Sequence, residues 1–221
     1  MRSDCKRLLS RLLAASLFWV MPFAHGSSPT GLTVLVAGDS LSAEYGIARG
    51  RGWVQLVQDQ LKQDSAFKKT PVNVVNASIS GETTSGGRTR LPALLAQHQP
   101  QFVVIELGAN DALRGLPVEQ AERALDDLLG RLAEKKLPVL LAGMRAPPNL
   151  GADYGAAFDG MYARLAAKHA ALLYPFFLDG VAADPALNQA DGLHPNGKGV
   201  DVIVMRILPR VEDLVNRVGA K

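Results

Sequence analysis

Two kinds of hydrophobic pattern alternate along the chain. Short, nearly continuous apolar runs are typical of buried strands, and longer stretches with apolar residues at helical spacing separate them. The runs predict strands over residues 32–36, 72–77, 102–107, 139–143 and 172–174. The helical spacing predicts helices over residues 53–61, 90–98, 118–136, 158–169 and 199–217, with Pro92 in the first turn of the second.

The alternation of strands and helices predicts the fold class. Strands that are joined through helices form right-handed units of a parallel sheet, and strands this uniformly apolar need helices on both faces. We find no repeat, no low-complexity tract and no linker, and 221 residues suit one domain with a sizeable core. The sequence therefore predicts a single α/β domain built on a parallel sheet.

The beginning of the chain has a different pattern. A basic start with one acid, Asp4, leads into a charge-free apolar run over residues 12–20, and small residues follow. This three-part pattern is typical of a secretory signal peptide, and the apolar run is short for a membrane span. We therefore assign residues 1–26 to a signal peptide and 27–221 to the domain. We expect a periplasmic or secreted protein without a stable membrane span after cleavage; an uncleaved anchor is the alternative.

The leader also accounts for the basic character of the chain. The whole sequence has 24 Lys+Arg against 21 Asp+Glu. Four of these basic residues and one acid lie in residues 1–26, which leaves 20 of each sign. A balanced domain offers no basic surface for nucleic acid. The only cysteine, Cys5, is in the leader too, so the domain has no thiol nucleophile, disulfide or cysteine metal site.

A candidate nucleophile follows the first predicted strand. Gly38 closes the apolar run and allows a turn, which leaves Ser40 at the carboxyl end of the strand, where ligands bind in parallel α/β sheets. A serine there can attack an acyl group if a base takes its proton. Serine and aspartate are also ordinary turn and helix-cap residues, so Gly38-Asp39-Ser40 alone decides little.

Three further polar segments are predicted to reach the same edge of the sheet. Residues 80–81 and 108–111 each follow a predicted strand, and the loop 191–195 comes late enough in the chain to fold over that edge. Taken singly, residues 108–111 could be a simple turn, and residues 191–195 could cap the last helix. Convergence of all the segments on one edge favours a site.

The residue types in these segments suit acyl transfer. His194 can take the proton of Ser40 and return it to the leaving group, and Asp191 can fix the tautomer of the histidine. The negative oxygen of the tetrahedral intermediate needs preorganised donors. The candidates for this oxyanion hole are the N–H groups of Ser40 and Gly81 and the side-chain amide of Asn110.

Other polar residues have structural explanations. His98 and His169 lie near predicted helix ends, where histidines commonly interact with the helix dipole. Glu106, inside a predicted strand, needs a partner. Arg145, at the end of the next strand, is expected to supply one in a structural ion pair.

The four polar segments match the motifs of a known family. The sequence resembles the SGNH (GDSL) hydrolases, whose named serine, glycine, asparagine and histidine would be Ser40, Gly81, Asn110 and His194, with Asp191 from the Asp-X-X-His motif. The likeness extends from about Thr33 to the last predicted helix. The segments 76–81, 90–95 and 175–177 resemble one branch in particular, the bacterial periplasmic multifunctional esterases.

The resemblance implies a three-layer α/β/α sandwich of flavodoxin-like type with a five-stranded parallel sheet. It also implies hydrolysis of acyl esters and thioesters through an acyl-enzyme on Ser40, with acyl-CoA thioesterase, lysophospholipase and arylesterase activities. No cofactor and no metal are expected. The expected partner is a small-molecule acyl ester or thioester, and we expect a monomer.

The sequence departs from the family pattern near the expected acyl site, where Leu150 replaces an aromatic residue. We expect the acyl chain to contact two loops, 112–117 and 145–154, that leave the same sheet edge as Ser40. The candidate substrate-binding residues are Leu113, Leu116, Pro147 and Leu150.

Three other functions stay open. A carbohydrate O-acetyl esterase would use the same chemistry on another substrate, although the apolar loops favour an acyl chain. A metallophosphoesterase would need several histidine and aspartate ligands at suitable spacing, and residues 27–221 contain three histidines. A non-catalytic lipid-binding module would leave Ser40 without a role.

Overall fold

The structure, a computed structural model, describes residues 31–219. The predicted signal peptide, residues 1–26, lies outside the described residues. The strands are β1 (Leu32–Gly38), β2 (Val72–Asn76), β3 (Phe102–Glu106), β4 (Val139–Ala142) and β5 (Leu172–Tyr174). They form one parallel sheet in the order β2-β1-β3-β4-β5. The five-stranded parallel sheet is therefore confirmed.

Six α-helices are formed by the described residues. They are α1 (Trp53–Gln63), α2 (Thr84–His98), α3 (Ala109–Leu113), α4 (Val118–Glu134), α5 (Ala152–Lys168) and α6 (Gly197–Val215). Short 3₁₀ turns lie at Ser65–Phe67, Pro148–Leu150 and Asn216–Gly219. The predictions for α1, α4 and α6 are close to these bounds. The short helix α3 was not predicted, and α2 and α5 begin well before the predicted residues 90 and 158.

The early start of α2 has a local cause. The Thr83 side chain caps the helix by accepting a hydrogen bond from the Gly86 N–H at 3.2 Å. Gly86 and Gly87 have low helix propensity, so the local sequence does not indicate that a helix begins here. A residue larger than glycine at position 87 would clash with β3's neighbour Leu107, because its Cβ would lie 2.4 Å from Leu107 Cδ1. Pro92 consequently lies well inside α2, and its predicted place in the first turn is wrong.

The helices cover both faces of the sheet. Helix α4 packs against both α2 and α5 along one face, and α1 packs against α6 on the other. In α4, four leucines of the predicted apolar stripe are fully buried: Leu125, Leu128, Leu129 and Leu132. Strands β3 and β4 are buried at every position, as a doubly covered sheet requires. The architecture is the three-layer α/β/α sandwich.

The parallel direction of the strands brings their carboxyl ends, and the loops that follow them, to one edge of the sheet. Candidate site residues after β1, β2 and β3 therefore start from the same edge. Within residues 31–219, none of the helices has both the length and the apolar composition needed to cross a membrane.

We expect Gly108→Ala to destabilise the fold by about 2 kcal/mol or more, because strained backbone alone costs roughly 1–3 kcal/mol. Gly108 joins β3 to α3 with φ of 122°, and a Cβ there would lie 2.1 Å from the Tyr162 hydroxyl oxygen. That hydroxyl donates a hydrogen bond to the Leu107 carbonyl at 2.9 Å. The measurement is urea unfolding.

The control for this substitution is Gly155→Ala in α5. A Cβ at Gly155 meets no heavy atom within 4 Å. This variant should gain up to about 1 kcal/mol from helix propensity. Equal stability of the two variants would contradict the assignment of Gly108 as a steric requirement.

Candidate active site

Ser40 lies at the corner of a tight turn after β1. The Asp39 carbonyl accepts hydrogen bonds from the N–H groups of Ser42 and Ala43 at 3.3 and 2.9 Å. The Asp39 side chain accepts another from the Leu41 N–H at 3.0 Å. These bonds on both sides of Ser40 fix the direction of its side chain, as an Asx turn does.

Three side chains form one line of hydrogen bonds. His194 Nε2 lies 2.9 Å from Ser40 Oγ, and His194 Nδ1 lies 2.7 Å from Asp191 Oδ2. An ionised carboxylate can only accept, so the Nδ1 atom carries the proton and the neutral ring offers Nε2 to the Ser40 hydroxyl. The structure thus brings together the predicted nucleophile, base and orienting acid.

The Asp191 carboxylate is held by the backbone of its own loop. Oδ1 accepts the N–H groups of His194 and Leu193 at 3.0 and 2.9 Å. These two bonds, with the side-chain bond to His194, lower the Asp191 pKa to about 2. The carboxylate is therefore ionised at neutral pH and cannot turn away from the imidazole without losing its N–H donors.

Two residues that sequence reasoning missed hold the histidine loop. The Gln189 side-chain amide donates to the carbonyls of Tyr45 and Pro195, both at 2.9 Å, and the Gln189 N–H donates to the His194 carbonyl at 2.7 Å. The Tyr45 ring packs 4.4 Å from the His194 ring, centroid to centroid. No local signal marks Gln189, because one partner is 144 residues away in the sequence.

Asn110 is positioned by the unpredicted helix α3. Its Nδ2 donates to Asp39 Oδ2 at 2.9 Å, which joins α3 to the turn that carries Ser40. The next residue, Asp111, is buried and accepts from the Thr84 N–H at 2.9 Å and the Thr84 hydroxyl at 2.7 Å. These bonds fix α3 against the start of α2. Asn110 thus lines the same cavity as Ser40.

Gly81 lies in the segment between β2 and α2, with φ of 80°. Its carbonyl accepts a hydrogen bond from Arg114 Nη2 at 2.8 Å, which ties the segment to the end of α3. Within residues 31–219, the N–H groups of Ser40 and Gly81 donate to no protein acceptor. Both groups are therefore free to bind a substrate oxygen.

A cavity of about 380 Å³ opens beside Ser40 and His194. Its wall is mostly apolar and includes Leu113, Pro147, Met144, Phe176, Leu178 and Leu193. Sequence reasoning named the first two of these and missed the others, some of which follow β4 and β5. A volume of this size suits a small-molecule ligand.

Two of the proposed substrate-binding residues do not line this cavity. Leu150 is half-buried against the core and lies about 4.0 Å from the position of a Cβ on Gly115. Leu116 is half-buried in the turn after α3, where its carbonyl accepts the Tyr154 hydroxyl at 2.7 Å. Contact of Leu116 and Leu150 with an acyl chain therefore stays a prediction that the lining of this cavity does not support.

The expected ion pair of Glu106 and Arg145 is wrong. Glu106 is fully buried, and its Oε2 accepts the Ser42 hydroxyl at 2.6 Å. Arg145 is exposed, and its guanidinium carbon lies 4.6 Å from the centroid of the Phe176 ring, in a cation–π contact. Across residues 31–219, no group of three or more His, Cys, Asp and Glu side chains is arranged to hold a metal ion.

Comparisons with known proteins show that the chain is similar to ester hydrolases. The GDSL-like Lipase/Acylhydrolase family matches residues 36–202. The chain is 42% identical over 183 residues to Esterase TesA of Pseudomonas aeruginosa, which covers 83% of this chain and 89% of that protein. It is 40% identical over 184 residues to Thioesterase 1/protease 1/lysophospholipase L1 of Escherichia coli strain K12, covering 83% and 85%.

A solved structure supports the same relation. The psychrotrophic esterase EstA from Pseudoalteromonas, in a crystal structure inhibited by monoethylphosphonate, is 37% identical in sequence and superposes with a TM-score of 0.77. The match covers 83% of this chain and 98% of that one. The likeness therefore extends over nearly the whole of the solved enzyme.

We expect Gln189→Ala to loosen the histidine loop and to cost about 1–3 kcal/mol, because it removes two hydrogen bonds of a partly buried amide. The His194 Nδ1–H resonance in the NMR spectrum should exchange faster with water, and urea unfolding should give the stability. Gln120→Ala, at an exposed position of α4, is the control and should change neither. An unchanged resonance in Gln189→Ala would mean that Tyr45 and Asp191 hold the loop alone.

Proposed function

The chain belongs to the GDSL-like lipase/acylhydrolase family and is an ester-hydrolysing enzyme, and we propose that it cleaves acyl esters and thioesters through an acyl-enzyme on Ser40. The observation that carries this proposal is the line of hydrogen bonds from Ser40 through His194 to Asp191 beside an apolar cavity. The names of the relatives, an esterase and a thioesterase with lysophospholipase, describe cleavage of acyl bonds to oxygen or sulfur. Arylesterase activity fits the same chemistry.

The first half of the reaction forms the acyl-enzyme. Ser40 Oγ attacks the acyl carbon while His194 Nε2 takes the hydroxyl proton, and Asp191 stabilises the resulting imidazolium. The tetrahedral intermediate then expels the alcohol or thiol as its bond to carbon breaks. His194 returns the proton to that leaving group.

The second half of the reaction releases the acid. Water attacks the acyl carbon, again with His194 as base, and the bond between Ser40 Oγ and the acyl carbon breaks. The proton held by His194 returns to Ser40. The products are a carboxylic acid and the regenerated enzyme, and no step needs a metal or cofactor.

The negative oxygen of both tetrahedral intermediates needs donors that are already in place. We assign this role to the N–H groups of Ser40 and Gly81, which are free among the described residues, and to Asn110 Nδ2. An amide nitrogen has two N–H bonds, and the bond to Asp39 uses one of them. The other remains for the substrate oxygen.

The acyl chain of the substrate would lie in the apolar cavity. A sugar ring would need polar partners for its hydroxyl groups, and the cavity wall beyond Asn110 offers mainly side chains such as Leu113, Met144 and Phe176. This lining favours an acyl ester over a carbohydrate acetate. We also propose export to the periplasm or beyond, on the pattern of residues 1–26, and a monomeric state.

Ser40→Ala and His194→Ala should each lower kcat by about 10³-fold or more with the fold intact, because both act in the same chemical steps. For the same reason the double variant should be little worse than either single variant. The assays are hydrolysis of a p-nitrophenyl ester and labelling by a fluorophosphonate probe. Ser65→Ala and His98→Ala are matched controls away from the cavity. Strictly additive losses, or labelling of Ser40→Ala, would contradict the proposed nucleophile.

Leu113→Ala should reduce kcat/KM for an octanoyl ester about three- to tenfold more than for an acetyl ester, since each buried methylene is worth about 0.8 kcal/mol. Leu113 lines the cavity, whereas Leu116 does not, so Leu116→Ala is the matched control. The measurement is kcat/KM against acyl length for the three proteins. If both variants give the wild-type profile, the acyl chain does not lie along Leu113.

A further inference from the structure

Two buried carboxyl groups lie directly behind the proposed oxyanion hole and take no part in the mechanism above. Asp39 and Glu106 are both completely buried. They meet because β1 pairs with β3 so that Gly38 is opposite Glu106. A Cβ at Gly38 would lie 2.5 Å from Glu106 Oε2, so glycine leaves the room that this carboxyl group occupies.

No cation balances the two groups. Among the described residues, neither Asp39 nor Glu106 forms a salt bridge with lysine, arginine or histidine. A buried pair of carboxylates without a cation is unfavourable, and such a pair normally keeps one proton. The hydrogen-bond partners of the two carboxyl groups indicate which of them holds this proton.

The hydrogen-bond donors around Asp39 indicate that it is ionised. Oδ1 accepts the Leu41 N–H at 3.0 Å, and Oδ2 accepts Asn110 Nδ2 at 2.9 Å. Both oxygens are therefore occupied by N–H donors. A proton on either oxygen would compete with one of these bonds.

The surroundings of Glu106 suit the opposite state. Trp53 Nε1 donates to Ser42 Oγ at 3.0 Å, so the Ser42 hydroxyl directs its own proton to Glu106 Oε2, 2.6 Å away. The Asp39 N–H also points to this oxygen, at 3.3 Å. The other oxygen, Oε1, is buried and has no donor among the described residues. It is the one carboxyl oxygen of the pair with room for a proton.

We propose that Glu106 and Asp39 hold one proton between them, on Glu106, and that the single charge left on Asp39 fixes the Asn110 amide for oxyanion binding. Asp39 is then a positioning residue that acts through Asn110, whereas Glu106 only stores the proton. The inference rests on the proposed oxyanion role of Asn110.

The electrostatic surroundings agree with this assignment. Burial raises the pKa of Asp39 to about 6, while the hydrogen bonds from Leu41 and Asn110 oppose the rise. Burial and the neighbouring Asp39 charge raise the pKa of Glu106 well above its usual range. Three other titratable groups face the pair: Asp111 of α3, His194 and the Tyr162 phenol of α5. At pH 7–8 Asp39 is thus mostly ionised, and Glu106 is the carboxyl group of the pair whose surroundings favour the proton.

Neutral amide variants distinguish the two carboxyl groups. Glu106→Gln mimics protonated Glu106 and should keep kcat within about threefold of wild type. Asp39→Asn mimics protonated Asp39 and should lower kcat about tenfold or more, approaching the loss from removing an oxyanion donor. KM should change much less in Asp39→Asn, because the oxyanion forms only after binding. The reverse order of the two variants would overturn the proposal.

A double-mutant cycle tests whether Asp39 affects kcat through Asn110 or independently of it. If Asp39 acts through Asn110, the Asp39→Asn/Asn110→Ala double variant should be no slower than Asn110→Ala alone. Additive losses would mean that Asp39 acts elsewhere. If Asn110→Ala itself keeps full kcat, the oxyanion assignment fails. If Asn110→Ala is slow and Asp39→Asn is not, only the present inference fails.

An infrared spectrum can detect the proposed proton on Glu106 directly, and it needs no variant of Asp39. The carbonyl stretch of a protonated carboxyl group should be present in the wild-type protein at pH 8 and absent from Glu106→Gln. A wild-type spectrum without this band would overturn the proposal.

Discussion

The pairing of β1 between β2 and β3 is the constraint on which the active site depends. The register places Val36 opposite Asn76 and Gly38 opposite Glu106. The ladder continues beyond β2, since the Ile79 N–H donates to the Gly38 carbonyl at 3.1 Å. The turn with Ser40, the segment with Gly81 and the helix with Asn110 therefore start at the same level. A slip of one residue would turn Glu106 to the other face of the sheet and separate these groups.

The strands were predictable because burial on both faces leaves a local signal. An apolar run closed by glycine or a polar residue carries most of the information about a doubly covered strand. Helix starts were less predictable, because they depend on partners far along the chain. The start of α2 combines a Thr83 cap with a buried bond from Thr84 to Asp111, 27 residues away. Intrinsic propensity at Gly86 and Gly87 favours a loop, and tertiary contacts outweigh it.

The contrast between local sequence signals and contacts between distant residues also explains which site residues could be predicted. Ser40, Asn110, Asp191 and His194 stand in short motifs whose chemistry is visible in the residue types, and fold topology brings them together. Gln189 and Tyr45 support them through contacts that no motif records. The expected partner of Glu106 was wrong because charge complementarity suggested a cation. A hydroxyl group and a retained proton satisfy the carboxyl group at lower cost than burying Arg145.

Three carboxyl groups thus serve one reaction in different charge states, which their surroundings set. Asp191 is exposed enough to be solvated and has two N–H donors, so it stays ionised, as its proposed role of stabilising a positive imidazolium requires. Asp39 and Glu106 lie behind the proposed oxyanion hole, where each additional anion would repel the negative oxygen of the intermediate. A single charge there can orient the Asn110 amide, whereas two would oppose the oxyanion. With a proton on Glu106, the pair can hold the Asn110 amide in place while only one negative charge lies near the oxyanion.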